Sequence, residues 1–180
     1  AAVAAIVAPS WERARLPDAL AAALDALERY VAAALEALER GGDRAPLSAM
    51  RREVGVALES AEVSLERMLA EPRALHQNTA GAVFVLTYAR RISIALTALC
   101  EARAARGEAD HLPPCQAVRN YVIAVLEVTK RFIATGQTAT LLAPTGCDPS
   151  LSRLLHHAEL LATVSRPLGR TSHEAPPSTT

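Results

Sequence analysis

Apolar residues recur at spacings of three and four along most of the chain, the pattern of helices that bury one stripe. The first stripe is Leu20, Leu24, Leu27, Val31, Ala34 and Leu38. It predicts a helix that begins between Ser10 and Pro17 and runs to about Arg40. Pro17 is acceptable in a first turn, Asp18 suits the positive end of the dipole, and Gly41-Gly42 ends the helix. Asp25–Arg29 and Glu36–Arg40 are expected as acid-first i,i+4 pairs on its wet face. A second helix, from Pro46 to Ala70, carries Val54, Leu58, Ala61, Leu65 and Met68 opposite Glu59, Glu62, Glu66 and Arg67. Pro72 disfavours helical geometry at Glu71, so a break is expected at Glu71-Pro72-Arg73.

The third helix, Leu75 to Arg106, has its strongest stripe in Val85, Ala89, Ile92, Leu96 and Leu99, with Phe84 and Tyr88 beside it. Between Ala80 and Leu99 it is apolar on nearly every side apart from Arg90-Arg91. Helices without a broad polar face are usually surrounded by others, so this one is expected at the centre of a bundle. Pro113-Pro114 opens a fourth helix that buries Val118, Tyr121 or Val122, Val125 and Phe132 and ends near Gly136. Asp148-Pro149 caps and starts a fifth, with the stripe Leu151, Leu154, Ala158 and Leu161, closed by Arg166-Pro167. Helices 1–2 and 3–4 are arranged in the chain as two antiparallel hairpins could be. The expected fold is all-α, an antiparallel helical bundle of about five helices over residues 10–164. A disordered tail rich in Pro, Ser and Thr is expected over 165–180.

Composition narrows the reading. The 180 residues suffice for one domain with a real core. With 51% hydrophobic but only 3% aromatic residues, that core must be built from Ala, Leu and Val. A net charge of zero leaves no basic footprint for nucleic acid. Cys100, Cys115 and Cys147 are odd in number and lack CxxC spacing, so they read as neither a disulfide framework nor a zinc site. A reducing compartment suits them. No uninterrupted apolar run reaches the roughly 18–20 residues of a membrane span. The closest, Ala80 to Ala89, stops at Arg90. Ala1–Ala8 has no basic segment ahead of it and is no signal peptide. Residues 1–9 read either as a frayed end or as the stub of a preceding membrane helix. Arg13 and Arg15 then put this side in the cytoplasm by the positive-inside rule.

Candidate chemistry is sparse. The Glu-x-x-His motifs of carboxylate-bridged metal centres are missing. His156 and His157 point to different faces of one turn and read as a solvated or cap-region pair rather than a metal site. No phosphate loop, GxSxG elbow or HExxH motif occurs, and no catalytic residue, cofactor or metal is assigned. Arg90 and Arg91 are the candidate ligand-binding residues. Buried arginines are costly unless paired, so the pair reads as a solvated edge or as an inter-helix ion pair with glutamates on helix 2. An anionic ligand or a lipid headgroup is the other reading, because arginine grips carboxylates in a bidentate way.

Three segments together resemble the soluble region of the fusaric-acid-resistance (FUSC) family of bacterial inner-membrane exporters. The first is Pro9-Ser10-Trp11-Glu12 with Leu16-Pro17, similar to the exit from the last membrane helix of such a module. The second is Ala61–Pro72, similar to the family's A-E-x-x-L-x-R-x-L-x-E-P run. The third is Thr87-Tyr88-Ala89-Arg90-Arg91 with Ala95–Leu99. Ser60 departs from the pattern, where Asn is expected before Ala-Glu. The resemblance covers a little over half the chain. It implies a non-enzymatic cytoplasmic domain of an aromatic acid exporter at the bacterial inner membrane, serving assembly, gating or regulation. The implied partners are the transmembrane module of the same polypeptide and further copies in a homo-oligomer. No catalytic motif comes with the family. The alternative is a free-standing helical binding or enzyme domain in which Arg90 or Arg91 holds a small acidic ligand.

Overall fold

A computed structural model describes residues 9–40, 45–70, 79–106 and 115–165. Among them the chain forms five α-helices and no strand: α1 (Pro9–Arg40), α2 (Ala45–Leu69), α3 (Thr79–Arg106), α4 (Gln116–Thr135) and α5 (Ser152–Ala162). Short 3₁₀ turns, Pro149–Leu151 and Thr163–Ser165, flank α5. The all-α bundle is the expected one. Every stripe residue named for helices 1, 2, 3 and 5 is buried; Phe132 of helix 4 is only half-buried. Boundaries differ slightly: α2 spans Ala45–Leu69 where Pro46–Ala70 is expected. α1 starts at Pro9 and keeps Pro17 in its interior. The last turn of the bundle reaches Ser165. The membrane-helix stub, the Glu71-Pro72 break and the disordered tail lie, but for these one-residue overlaps, outside the described residues.

α1 and α3 share the centre of the bundle, each packing against three other helices, α3 against α1, α2 and α5. α1 packs against α2, α3 and α4, and α5 sits between α3 and α4. Leu24, Leu27, Val31 and Leu35 have no exposed surface. Ala23, Ala26, Ala34 and Ala37, buried beside them, let three neighbours approach one Ala-rich helix. α3 is apolar all round, yet Val83 and Ile94 remain 48% and 61% exposed. By length and composition α3 is apolar enough to cross a membrane, with a mean hydropathy of 1.5 over its best window, of which 39% is buried. Its apolar faces therefore exceed what the bundle covers.

Helices 1 and 2 do form an antiparallel hairpin. Helices 3 and 4 do not, because α5 fills the space between them. α2 and α3 run antiparallel, joined by Arg51–Glu101 at 3.1 Å and Arg90–Glu62 at 2.7 Å. Tyr30 and Thr97 share a 3.0 Å hydrogen bond between α1 and α3. The Glu36–Arg40 pair of α1 is made. The expected Asp25–Arg29 pair is not seen: Arg29 reaches Glu53 on α2, and Asp25 reaches Lys130 on α4. Both sides of α1 are covered here, so its charges find partners across helix interfaces instead of along the helix.

α4 is held on α1 at both ends. Lys130 Nζ lies 2.6 Å from Asp25, 2.8 Å from Glu28 and 2.6 Å from Glu127. At the other end Glu39 accepts the backbone N–H of Cys115 and pairs with Arg119 at 3.7 Å. Cys115 offers no side-chain cap of its own, so a carboxylate from α1 satisfies and charge-stabilises the α4 N-terminus. Gly136 closes α4 with φ 69°, its N–H donating to Phe132 O.

The same packing silences Cys115. Burial first, and then the adjacent Glu39, push its thiol up to about 12. The thiolate is the reacting species. A thiol reagent at mildly alkaline pH is therefore expected to modify the half-buried Cys100 and Cys147 but not Cys115. Counting modified thiols by mass spectrometry checks this; Cys115 should label only in denaturant, and equal labelling of all three would contradict it.

A groove between α2 and α3

The outward side of the α2–α3 pair carries the residues singled out by the sequence. Arg90 Nη2 donates to both carboxylate oxygens of Glu62, each at 2.7 Å. The pairing with a helix-2 glutamate is thus made, and it spans the groove. On one side lies an open hollow of about 390 Å³ bordered by Leu65, Val83, Leu86 and Thr87. On the other lies one of about 610 Å³ bordered by Arg52, Gly55, Val56, Glu59 and Ser93. Ile94 borders both.

Arg91 takes a different neighbour. Its guanidinium carbon is 5.3 Å from the Tyr88 ring centroid, a cation–π contact. Tyr88 in turn lies 4.4 Å from the Phe84 ring and 6.3 Å from the His157 ring. The two arginines therefore sit side by side in sequence but serve separate contacts. An acid entering at Arg90 must displace a carboxylate already tethered there.

The histidines are likewise divided. Their ring centroids are 5.7 Å apart. Burial first, then the nearby charges of His156, Arg91 and Arg153, lower the His157 pKa, and its buried Nδ1 has no hydrogen-bond partner. His156 instead borders a hollow of about 380 Å³ with Tyr121, Glu159 and Thr163. Among the described residues, no three His, Cys, Asp or Glu side chains converge as a metal site would require.

Three exposed apolar side chains complete the groove: Val56 (68%), Ile94 and Val83. Sequence periodicity missed them. The available signal was Val56 and Val63 standing on the polar side of helix 2, where a solvated face has no use for them.

The Arg90–Glu62 pair contributes modestly to the fold. Both side chains are nearly half exposed, so screening holds the pair to about 1 kcal/mol or less. Arg90→Ala is expected to shift the urea midpoint only slightly and to leave the m-value unchanged. A loss of several kcal/mol would show that the pair holds α2 and α3 together.

Compared with protein-family models, curated proteins and solved structures, the chain matches none of them.

Proposed function

We propose that this chain is a non-catalytic helical domain of a FUSC-like exporter of aromatic carboxylic acids, cytoplasmic in location and acting through protein contacts of its α2–α3 face. The observation that carries the reading is the apolar strip Val56, Val83 and Ile94, left in water around one ion pair. Soluble domains leave scattered apolar residues exposed, but a clustered strip rimmed by charges marks a contact surface. The segments that carry the family resemblance support the same face. Glu62 belongs to the second segment and Arg90 to the third, and the two residues meet across the groove. The groove is open and its arginines are engaged, which favours a protein contact over an enclosed small-molecule site.

The test is a gene deletion challenged with fusaric acid and related aromatic acids. Deletion is expected to lower the inhibitory concentration severalfold, and the intact gene to restore it. A gene carrying Val56→Asp with Ile94→Asp, accumulating normally, should fail to restore it. Unchanged sensitivity of the deletion strain across the panel would overturn the reading.

A further inference from the structure

We infer that α2 is the contact helix of a symmetric homodimer, packed antiparallel against α2 of a second copy with the two-fold axis at Gly55–Val56. This rests on reading the α2–α3 face as a contact surface, and it does not depend on export. The residues Ala49, Arg52, Val56, Glu59, Val63 and Glu66 recur at alternating spacings of three and four. All six are exposed, so they form one outward stripe. Alternating three–four spacing is the seam that lets two helices lie along each other.

Charge selects the partner and the direction. Among the described residues, neither Arg52 nor Glu59 has an ion-pair partner, while the neighbouring Arg51 and Glu62 are both engaged. Arg52 and Glu59 are two turns apart, about 10 Å along the axis, and equidistant from the midpoint between Gly55 and Val56. An antiparallel second copy centred on that midpoint puts Arg52 opposite Glu59 twice, once on each side of the axis. A parallel copy would set Arg52 against Arg52 and Glu59 against Glu59. The stripe is therefore complementary to itself in one orientation only, as an isologous interface requires.

Gly55 supplies a second, independent reason. It lies inside an exposed helix, where glycine costs about 0.5–1 kcal/mol relative to alanine. A Cβ at this position would meet nothing within 4 Å, so no contact inside the fold requires its absence. At the two-fold axis its bare backbone admits the facing helix closely, with Val56 of each copy seated over Gly55 of the other. Ile94, bordering the same hollow from α3, widens the apolar centre.

A single helix pair buries an area at the low end for specific complexes, so the dimer should be reversible and visible only at higher concentration. Sedimentation equilibrium of the full chain, from low micromolar to near-millimolar concentration, is the test. Wild type is expected to move from monomer toward dimer. Arg52→Glu alone and Glu59→Arg alone each set like charges together at both symmetric contacts, and each should weaken dimerisation about tenfold or more. The double variant should recover it, and an equimolar mixture of the two single variants should form a heterodimer. Gly55→Leu should raise the melting temperature of the monomer yet weaken the dimer, a combination that a purely structural role for glycine would not produce. A wild type that stays monomeric throughout overturns the inference, as do single variants that dimerise like wild type or a double variant that does not recover. None of these results bears on acid sensitivity, so failure here and failure of the export reading are separately visible.

Discussion

Replacing Leu27 by alanine is expected to destabilise the fold by about 3–4 kcal/mol, whereas Ile94→Ala should cost under about 0.5 kcal/mol. Leu27 has no exposed surface and sits on the helix that three others pack against. Removing its isobutyl group forfeits both transfer free energy and the contacts of a cavity that rigid neighbouring helices cannot fill. Ile94 has 61% of its surface in water and loses little on truncation. Urea denaturation followed by circular dichroism measures both. The contrast separates a covered helix face from an uncovered one. Were α3 enclosed on all sides, as its apolar content suggests, Ile94→Ala would cost as much as other isoleucine truncations in a core, about 2 kcal/mol or more. A loss below about 1 kcal/mol for Leu27→Ala would contradict the close packing of α1 against its three neighbours.

The helices were legible because each stripe is written mainly in leucine and valine at helical spacing, and nearly all of those residues are buried. Their mutual arrangement was less so. Alanine is the reason: Ala23, Ala26 and Ala37 are buried in α1 but lie outside its stripe, because alanine fits either a buried or a wet position and marks a face only weakly. Part of the packing surface of α1 is therefore hidden in the commonest residue of the chain. The position of α5 between α3 and α4 was also invisible, since chain order favours pairing neighbours and says nothing about a later helix arriving between them.

The site divided in the same way. Arg90 was conspicuous as a charge in an apolar helix, and the demand that it be paired led directly to a helix-2 glutamate. Arg91 was conspicuous for the same reason, but its contact is with Tyr88 three residues before it. The apolar strip was missed because all-round hydrophobicity states that a helix could be surrounded and not that it is. α3 packs against α1, α2 and α5, and the part these leave uncovered lies beside the Gly55–Val56 step of α2. Glu39 was missed altogether. A residue that caps another helix from a distance leaves no local signature, and Cys115, the residue it serves, lacks an N-cap side chain for the corresponding reason.

Lys130→Met is expected to cost about 1.5–2 kcal/mol at neutral pH, more than any exposed ion pair in the chain. The lysine side chain is 17% exposed and meets three carboxylates, two from α1 and one from its own helix. Methionine keeps the apolar stem packed while removing the charge, leaving Asp25, Glu28 and Glu127 to repel one another. Asp25 and Glu127 are about half exposed, and solvent screening keeps the loss below the 3–5 kcal/mol of a fully buried broken pair. The pH dependence follows from the same geometry. Burial pulls the Lys130 pKa down, but hydrogen bonds with Asp25, Glu127 and Glu28 outweigh it and leave the value raised. A raised folded-state value means that the contribution is complete below the unfolded lysine value, about 10.4, and is lost as pH climbs through the folded one. On the acid side, the hydrogen bond from Lys130 lowers the Glu127 pKa, so that share is lost as pH falls through the folded carboxylate value, below its ordinary range. The difference in stability between wild type and Lys130→Met should therefore hold from weakly acidic to weakly alkaline pH and shrink toward both extremes. Urea midpoints across this range measure it. A difference that stayed constant down to strongly acidic pH would show that the three carboxylates do not hold α4 on α1.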